Sequence, residues 1–211
     1  MKDSYSLKTA IVLFLTTAFS MLSHAGVGAN SIRPILIGSD APNAAVLDSE
    51  GKSVELAEIY DGKPTIVVFY RGGWCPYCNT HLQELVEVEP QLIELGYQII
   101  ALSPDAPSKL QESTEKGGLN YSLFSDSPHK AAEAFGIAFT LEPKTLERYK
   151  KKDRLGGWSD GVNQDKLPVP SVFIVTGDQK IAFQYVDPNF RSRMPGDLLL
   201  AAAKSSLEYG K

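Results

Sequence analysis

The run Arg71-Gly72-Gly73-Trp74-Cys75-Pro76-Tyr77-Cys78 constrains the fold more than any other segment, because it joins two unlike patterns through the only two cysteines of the chain. Before it stands Thr65-Ile66-Val67-Val68-Phe69-Tyr70, short, apolar and rich in β-branched residues. Such a run predicts a strand buried on both faces. After it, Leu82, Leu85, Val86, Leu92 and Leu95 recur close to a 3.6-residue period, which predicts a helix stopped at Gly96. Pro90 lacks the N–H that would bond to the Val86 carbonyl, so a kink or break is expected there. The next strand is expected at 97–103. A strand-helix-strand unit of this kind requires a parallel pair and a right-handed crossover.

The flanking sequence supplies further elements. Ala45-Val46-Leu47 and Ser53-Val54-Glu55-Leu56 enclose a polar Gly51-containing loop and read as a β-hairpin. A helical turn at 57–60 is ended by Asp61-Gly62. Helices are expected at 108–116, at 128–135 opened by Pro128, and from Pro195 to about Leu207. Strands are expected at 121–124 and, as a hairpin around Gly177-Asp178, at 171–176 and 181–186. Residues 26–37 read as an arm with strand character at Ile35-Leu36-Ile37. The span 138–167 reads as an insertion, with a charged helix at 144–154 and a Gly-rich loop carrying Trp158. The domain is therefore placed at 38–207, long enough for one real core.

The first 25 residues differ in kind. Lys2 and Lys8 precede Ala10 to Leu22, which is almost wholly apolar and uncharged, and Ser23-His24-Ala25 offers small residues at a cleavage site. This reads as a signal peptide cleaved after Ala25. A membrane anchor competes, but the apolar run is short of the roughly 20 residues a span needs. The expected location is periplasmic or secreted, with no stable membrane association after cleavage. A formal net charge of −4 gives no reason to expect nucleic acid as a partner.

Export changes how the cysteines are read. A bridge between residues three apart closes a tiny loop and is a poor structural staple, so a redox-active pair is the better reading. Cys75 falls at a helix start, where unpaired N–H groups and the positive dipole end lower a thiol pKa. Pro76 fits the first helical position without losing a hydrogen bond. Cys78 lies one turn deeper on the same face. Cys75 is thus expected to attack and Cys78 to resolve the resulting mixed disulfide or sulfenic acid. Arg71 either adds positive charge or points to solvent; Trp74 and Tyr77 either rim the site or simply pack. A zinc site lacks a second ligand pair. A Cu(I) site using Cys75, Cys78 and His81 is the competing non-enzymatic reading, since thiolates suit Cu(I). The Arg148, Lys150, Lys151 and Lys152 cluster reads as a solvated helix face.

The segment Tyr70 to Cys78 resembles the active-site segment of peroxiredoxin-like proteins of the alkyl hydroperoxide reductase/thiol-specific antioxidant (AhpC/TSA) family, within the thioredoxin-like superfamily. Gly38-Ser39-Asp40-Ala41-Pro42 and Asp61-Gly62-Lys63-Pro64 are similar to other family segments, and Val169-Pro170-Ser171-Val172-Phe173-Ile174 resembles the thioredoxin-fold loop with a cis-proline facing the dithiol. The resemblance implies an α/β thioredoxin-like fold, with a central mixed β-sheet flanked by helices and an N-terminal hairpin extension. It implies that Cys75 attacks and that Pro170 is cis. Two departures stand out. Gly72 occupies the family's threonine position, and Pro170 the position of an arginine; those groups hold the peroxide in the family. Losing both favours a thiol–disulfide oxidoreductase over a thiol peroxidase, with the copper carrier third. The first two require an external thiol reductant and a disulfide or hydroperoxide substrate, and no organic cofactor or metal.

Overall fold

The computed structural model describes residues 28–152, 154 and 165–208; the expected leader at 1–25 and Trp158 lie outside them. The two cores follow from the alternation of side chains along fully buried strands. In β3 (Thr65–Phe69) Ile66 and Val68 enter one core, and Val67 and Phe69 the other. β3 pairs in parallel with β4 (Gln98–Ser103), which pairs in parallel with β5 (Ser122–Ser125). On its other side β3 pairs antiparallel with β8 (Ser171–Val175), and β8 antiparallel with β9 (Ile181–Val186). The hairpin of β1 (Ala45–Leu47) and β2 (Ser53–Glu55) joins the far edge, giving the order β2-β1-β5-β4-β3-β8-β9. Its loop is closed by Asp48, whose Oδ1 accepts the Glu50 and Lys52 amides at 2.9 Å each. The sheet is mixed and flanked by helices, as expected.

One face is covered by α2 (Pro76–Glu94) and α6 (Gly196–Ser206), which bring Leu82, Leu85, Leu92, Leu199 and Ala203 onto Ile66 and Val68. α3 (Pro107–Gly117) adds Leu110 to the same side. The opposite face carries α1 (Leu56–Tyr60) and α4 (Lys130–Ala134), with Phe69, Phe135 and Phe173 in mutual ring contact at 4.8 to 6.0 Å. Burial of rings of this size supplies much of the cohesion of the fold. The described part of the span 138–167 is ordered structure. β6 (Ala138–Thr140) and β7 (Lys166–Pro168) form a two-stranded antiparallel ribbon, and α5 (Pro143–Lys151) follows β6.

Three expectations are corrected. Ile35 to Ile37 form no strand: the Arg33 and Ile35 amides bond instead to the Gly136 and Phe135 carbonyls, and Leu36 is left 73% exposed. The arm lies so close to Gly136 that a Cβ there would stand 1.9 Å from the Arg33 carbonyl oxygen. Of the kink or break expected at Pro90, the break does not occur: α2 runs on to Glu94. Pro90 is exposed while Leu85, Glu89 and Leu92 are buried, so packing of the inner face holds the helix together. The helix expected from Pro128 begins at Lys130, because His129 adopts a left-handed conformation (φ 59°) before it.

Candidate active site

β3, β4 and β9 all run in one direction, so their C-terminal ends meet at one edge of the sheet. That is where open α/β sheets gather ligand-binding groups. The loop after β3 carries both cysteines, the loop after β4 carries Asp105, and the loop after β9 carries Arg193.

Cys75 is the residue immediately before α2, with extended backbone (φ −95°, ψ 108°), and Pro76 takes the first helical position as expected. The Cys75 carbonyl accepts the Cys78 and Asn79 amides at 3.0 and 3.1 Å. The preceding turn is pinned from three sides. The Cys75 amide donates to the Gly72 carbonyl (3.0 Å), the Asn79 side chain to the Gly73 carbonyl (2.9 Å), and the Gly73 amide to Asp105 Oδ2 (2.7 Å). Gly72 has φ +123°, and a Cβ there would meet Asp105 Oδ1 at 2.6 Å and Trp74 Nε1 at 2.7 Å. The threonine of the family pattern therefore cannot fit without moving the turn. Gly72→Thr is expected to destabilise the protein by about 2–4 kcal/mol, from backbone strain plus overpacking. Urea unfolding checks this: the midpoint falls, whereas an unchanged midpoint would mean that the turn yields.

The two sulfurs lie 2.6 Å apart, within reach of direct bond formation. Both cysteines are buried, Cys75 1% and Cys78 0% exposed. Arg193, which sequence reading missed, points Nη2 at them, 3.1 Å from Cys78 Sγ and 4.0 Å from Cys75 Sγ. Its other terminal nitrogen donates to the Phe190 and Ser192 carbonyls at 2.5 and 2.6 Å, which fixes the guanidinium. The hydrogen bond from the Cys78 thiol, with help from the Arg71 and Arg193 charges, outweighs burial and lowers the Cys75 pKa from 9 to about 6. Burial and the neighbouring Cys75 sulfur push Cys78 well above its ordinary value. The pair is thus one thiolate and one thiol near pH 7. Asp105 is also buried, which raises its carboxyl to about 6.

The remaining sequence-derived residues divide. Arg71 does not reach solvent: it is 4% exposed and donates to the Tyr149 hydroxyl at 2.5 Å. The Trp74, Tyr149 and Phe190 rings surround its guanidinium at 4.4 to 5.6 Å. Trp74 packs edge-on against Tyr149 (5.4 Å) as part of this wall, while Tyr77, 44% exposed, meets Phe190 (5.9 Å) at the rim. Arg148 is exposed and stacks over Tyr149 at 5.5 Å.

Pro170 is not cis; every peptide bond among the described residues is trans. Val169 still bonds to the Ile137 carbonyl beside the ribbon, and Ser171 already pairs with Phe69, so Val169 and Pro170 form the short link from β7 to β8. Pro170 instead lines a cavity of about 230 Å³ with Arg71, Tyr149 and Phe190. His81 faces inward, and burial lowers its pKa to about 4. A copper site is disfavoured: among the described residues no group of three or more His, Cys, Asp or Glu could hold a metal ion.

Arg193 had one legible trace, a pair of arginines in the Pro-bounded loop 188–195. Its relation to the cysteines depends on β3 and β9 being parallel, and no local pattern carries that.

Comparison with known proteins matches residues 37–184 to the AhpC/TSA family. A putative peroxiredoxin, bcp, of Haemophilus influenzae is 36% identical over 106 residues, covering 50% of this chain and 68% of that protein. The thiol-disulfide oxidoreductase ResA of Bacillus anthracis is 24% identical over 198 residues, covering 93% and 96%. Among solved structures, the peroxidoxin BcpB of Mycobacterium tuberculosis superposes with a TM-score of 0.61 at 17% identity, covering 83% of this chain and 97% of that one.

Proposed function

The chain belongs to the AhpC/TSA family and is a thiol-based oxidoreductase, and on that premise we propose that it reduces small hydroperoxides, with Cys75 as the attacking and Cys78 as the resolving cysteine. The observation that carries this reading is the burial of Cys75 beside an anchored guanidinium. A cysteine 1% exposed leaves room at most for an oxidant of a few heavy atoms, whereas a protein disulfide needs an open in-line approach. Arg193 supplies the cationic donor that the sequence comparison found missing at Pro170. The trans Val169–Pro170 bond removes one argument for disulfide exchange.

The Cys75 thiolate attacks the distal oxygen of ROOH; an S–O bond forms, the O–O bond breaks, and the alcohol leaves after taking a proton. Arg193 stabilises the charge that develops on the peroxide oxygens. Cys78 gives up its proton and attacks the Cys75 sulfenic sulfur; an S–S bond forms and water leaves. An external dithiol then reduces the disulfide. With the sulfurs 2.6 Å apart, the second step needs no unfolding of α2.

The test is stopped-flow oxidation of the reduced protein by hydroperoxide across pH. The rate follows the Cys75 thiolate, so it rises about tenfold per pH unit below the thiol pKa and levels off above about pH 7. Asp105→Asn removes a neighbouring negative charge and is expected to move the midpoint down. A rate still climbing at pH 8–9 would contradict an activated Cys75.

A second reading, thiol–disulfide exchange, is favoured by Gly72 in the threonine position and by the relation to ResA. Export is also part of the proposal, on the leader-like residues 1–25. The mature N-terminus recovered from a periplasmic fraction is expected to be Gly26; an intact Met1 in the cytoplasm would refute it.

A further inference from the structure

Arg71 is a buried cation with unmet hydrogen-bonding capacity. A guanidinium has five N–H donors. Here one terminal nitrogen donates to Tyr149, and Nε has no protein partner. No ion pair among the described residues includes Arg71. Three aromatic rings offset part of the cost of burying the charge, but ring faces do not satisfy in-plane N–H groups. The Arg71 charge acts on the Cys75 thiolate, but no carboxylate of the described residues pairs with it, so the guanidinium can still take an anion.

The cavity beside it has the matching form. It measures about 230 Å³ and is bordered by Arg71 and Arg148, with Phe139, Leu141 and Phe190 among its apolar walls. Glu142 also lines it and is exposed. A fully hydrated inorganic anion gains little from such walls, whereas a carboxylate with a compact apolar body uses both parts. The volume is below the roughly 300 Å³ of ordinary drug-sized pockets, which limits that body to a single ring or a short chain.

We propose that this cavity is a binding site for a small organic monocarboxylate. Its carboxylate pairs with the Arg71 guanidinium and its apolar body rests on Phe139, Leu141 and Phe190. Arg148, at the exposed edge, adds charge that steers the anion in. Binding here does not depend on which oxidant Cys75 reduces.

Titration calorimetry on the full chain, with benzoate, acetate, benzyl alcohol and sulfate as probes, tests the site. Benzoate is expected to bind at least about tenfold tighter than acetate, which lacks the ring, and than benzyl alcohol, which lacks the charge. Arg71→Lys, which keeps a charge but loses the planar fork, is expected to weaken benzoate about tenfold. Sulfate matching benzoate, benzyl alcohol matching benzoate, or no heat with benzoate up to about 10 mM would each overturn the proposal. The probe series on the unaltered protein decides the matter even if Arg71→Lys fails to fold. Unchanged benzoate affinity in a folded Arg71→Lys protein would overturn it as well.

Discussion

Cys75→Ser is expected to abolish hydroperoxide consumption, by at least about 10³-fold, because a serine hydroxyl is not ionised near pH 7 and cannot take the oxygen. Cys78→Ser is expected to behave differently. It consumes one equivalent of hydroperoxide rapidly and then stops, since Cys75 is oxidised without a partner to release water. The contrast follows from the opposite fates of two sulfurs 2.6 Å apart. The hydrogen bond from Cys78 lowers Cys75 to about 6, and burial raises Cys78. Cys78→Ser retains a hydroxyl donor, so much of the activation of Cys75 persists. Mass spectrometry after trapping with a sulfenic-acid reagent checks the assignment: a single reagent adduct, on Cys75, is expected. A rapid, stoichiometric reaction in Cys75→Ser would exchange the roles.

Arg193→Gln is expected to produce the second large effect, a loss of about 10²-fold in the rate of oxidation by hydroperoxide at pH 7. Two contributions add. One is a smaller thiolate fraction, since Arg193 is among the charges that lower Cys75. The other is loss of a fixed donor at the developing oxygen charge. They separate by pH. Thiolate absorbance near 240 nm reports the upward shift in pKa, and the deficit that remains at pH 9, where both proteins are thiolates, reports transition-state stabilisation alone. Arg193→Lys restores charge without the planar fork, so it recovers the pKa better than the rate. Arg193 is anchored through the Phe190 and Ser192 carbonyls, and glutamine cannot reproduce both bonds, so circular dichroism should accompany the kinetics.

What was legible in the chain had local causes. The β3 run shows its burial in its own composition, the β1–β2 hairpin carries Asp48 and Gly51 in its turn, and Pro76 and Cys75 mark a helix start. What was not legible depended on distant partners. Pro90 reads as a point of kink or break, and the break is averted where the inner face of α2 packs against the sheet and α6. The strand-like Ile35–Ile37 found no partner, because the Phe135 and Gly136 carbonyls took the arm's amides first. The site shows the same division. Both cysteines were evident, but Arg193 and Asp105 enter only through the common direction of β3, β4 and β9. The aromatic enclosure of Arg71 likewise depends on α5, which brings Tyr149 from 78 residues away. Gly72 departs from the family pattern in the sequence itself, and the structure supplies its reason in the Asp105 carboxylate that bonds the next amide.

The choice between hydroperoxide and protein disulfide rests on access to Cys75, and a competition experiment addresses it directly. Fully reduced protein is mixed in stopped flow with equal concentrations of a small hydroperoxide and a model protein disulfide, and both products are quantified after a single turnover. The buried Cys75 beside Arg193 predicts that hydroperoxide accounts for nearly all oxidation, with a rate constant at least about 10² times larger. Reduction of the protein disulfide at an equal or greater rate would contradict the account and make exchange the primary activity.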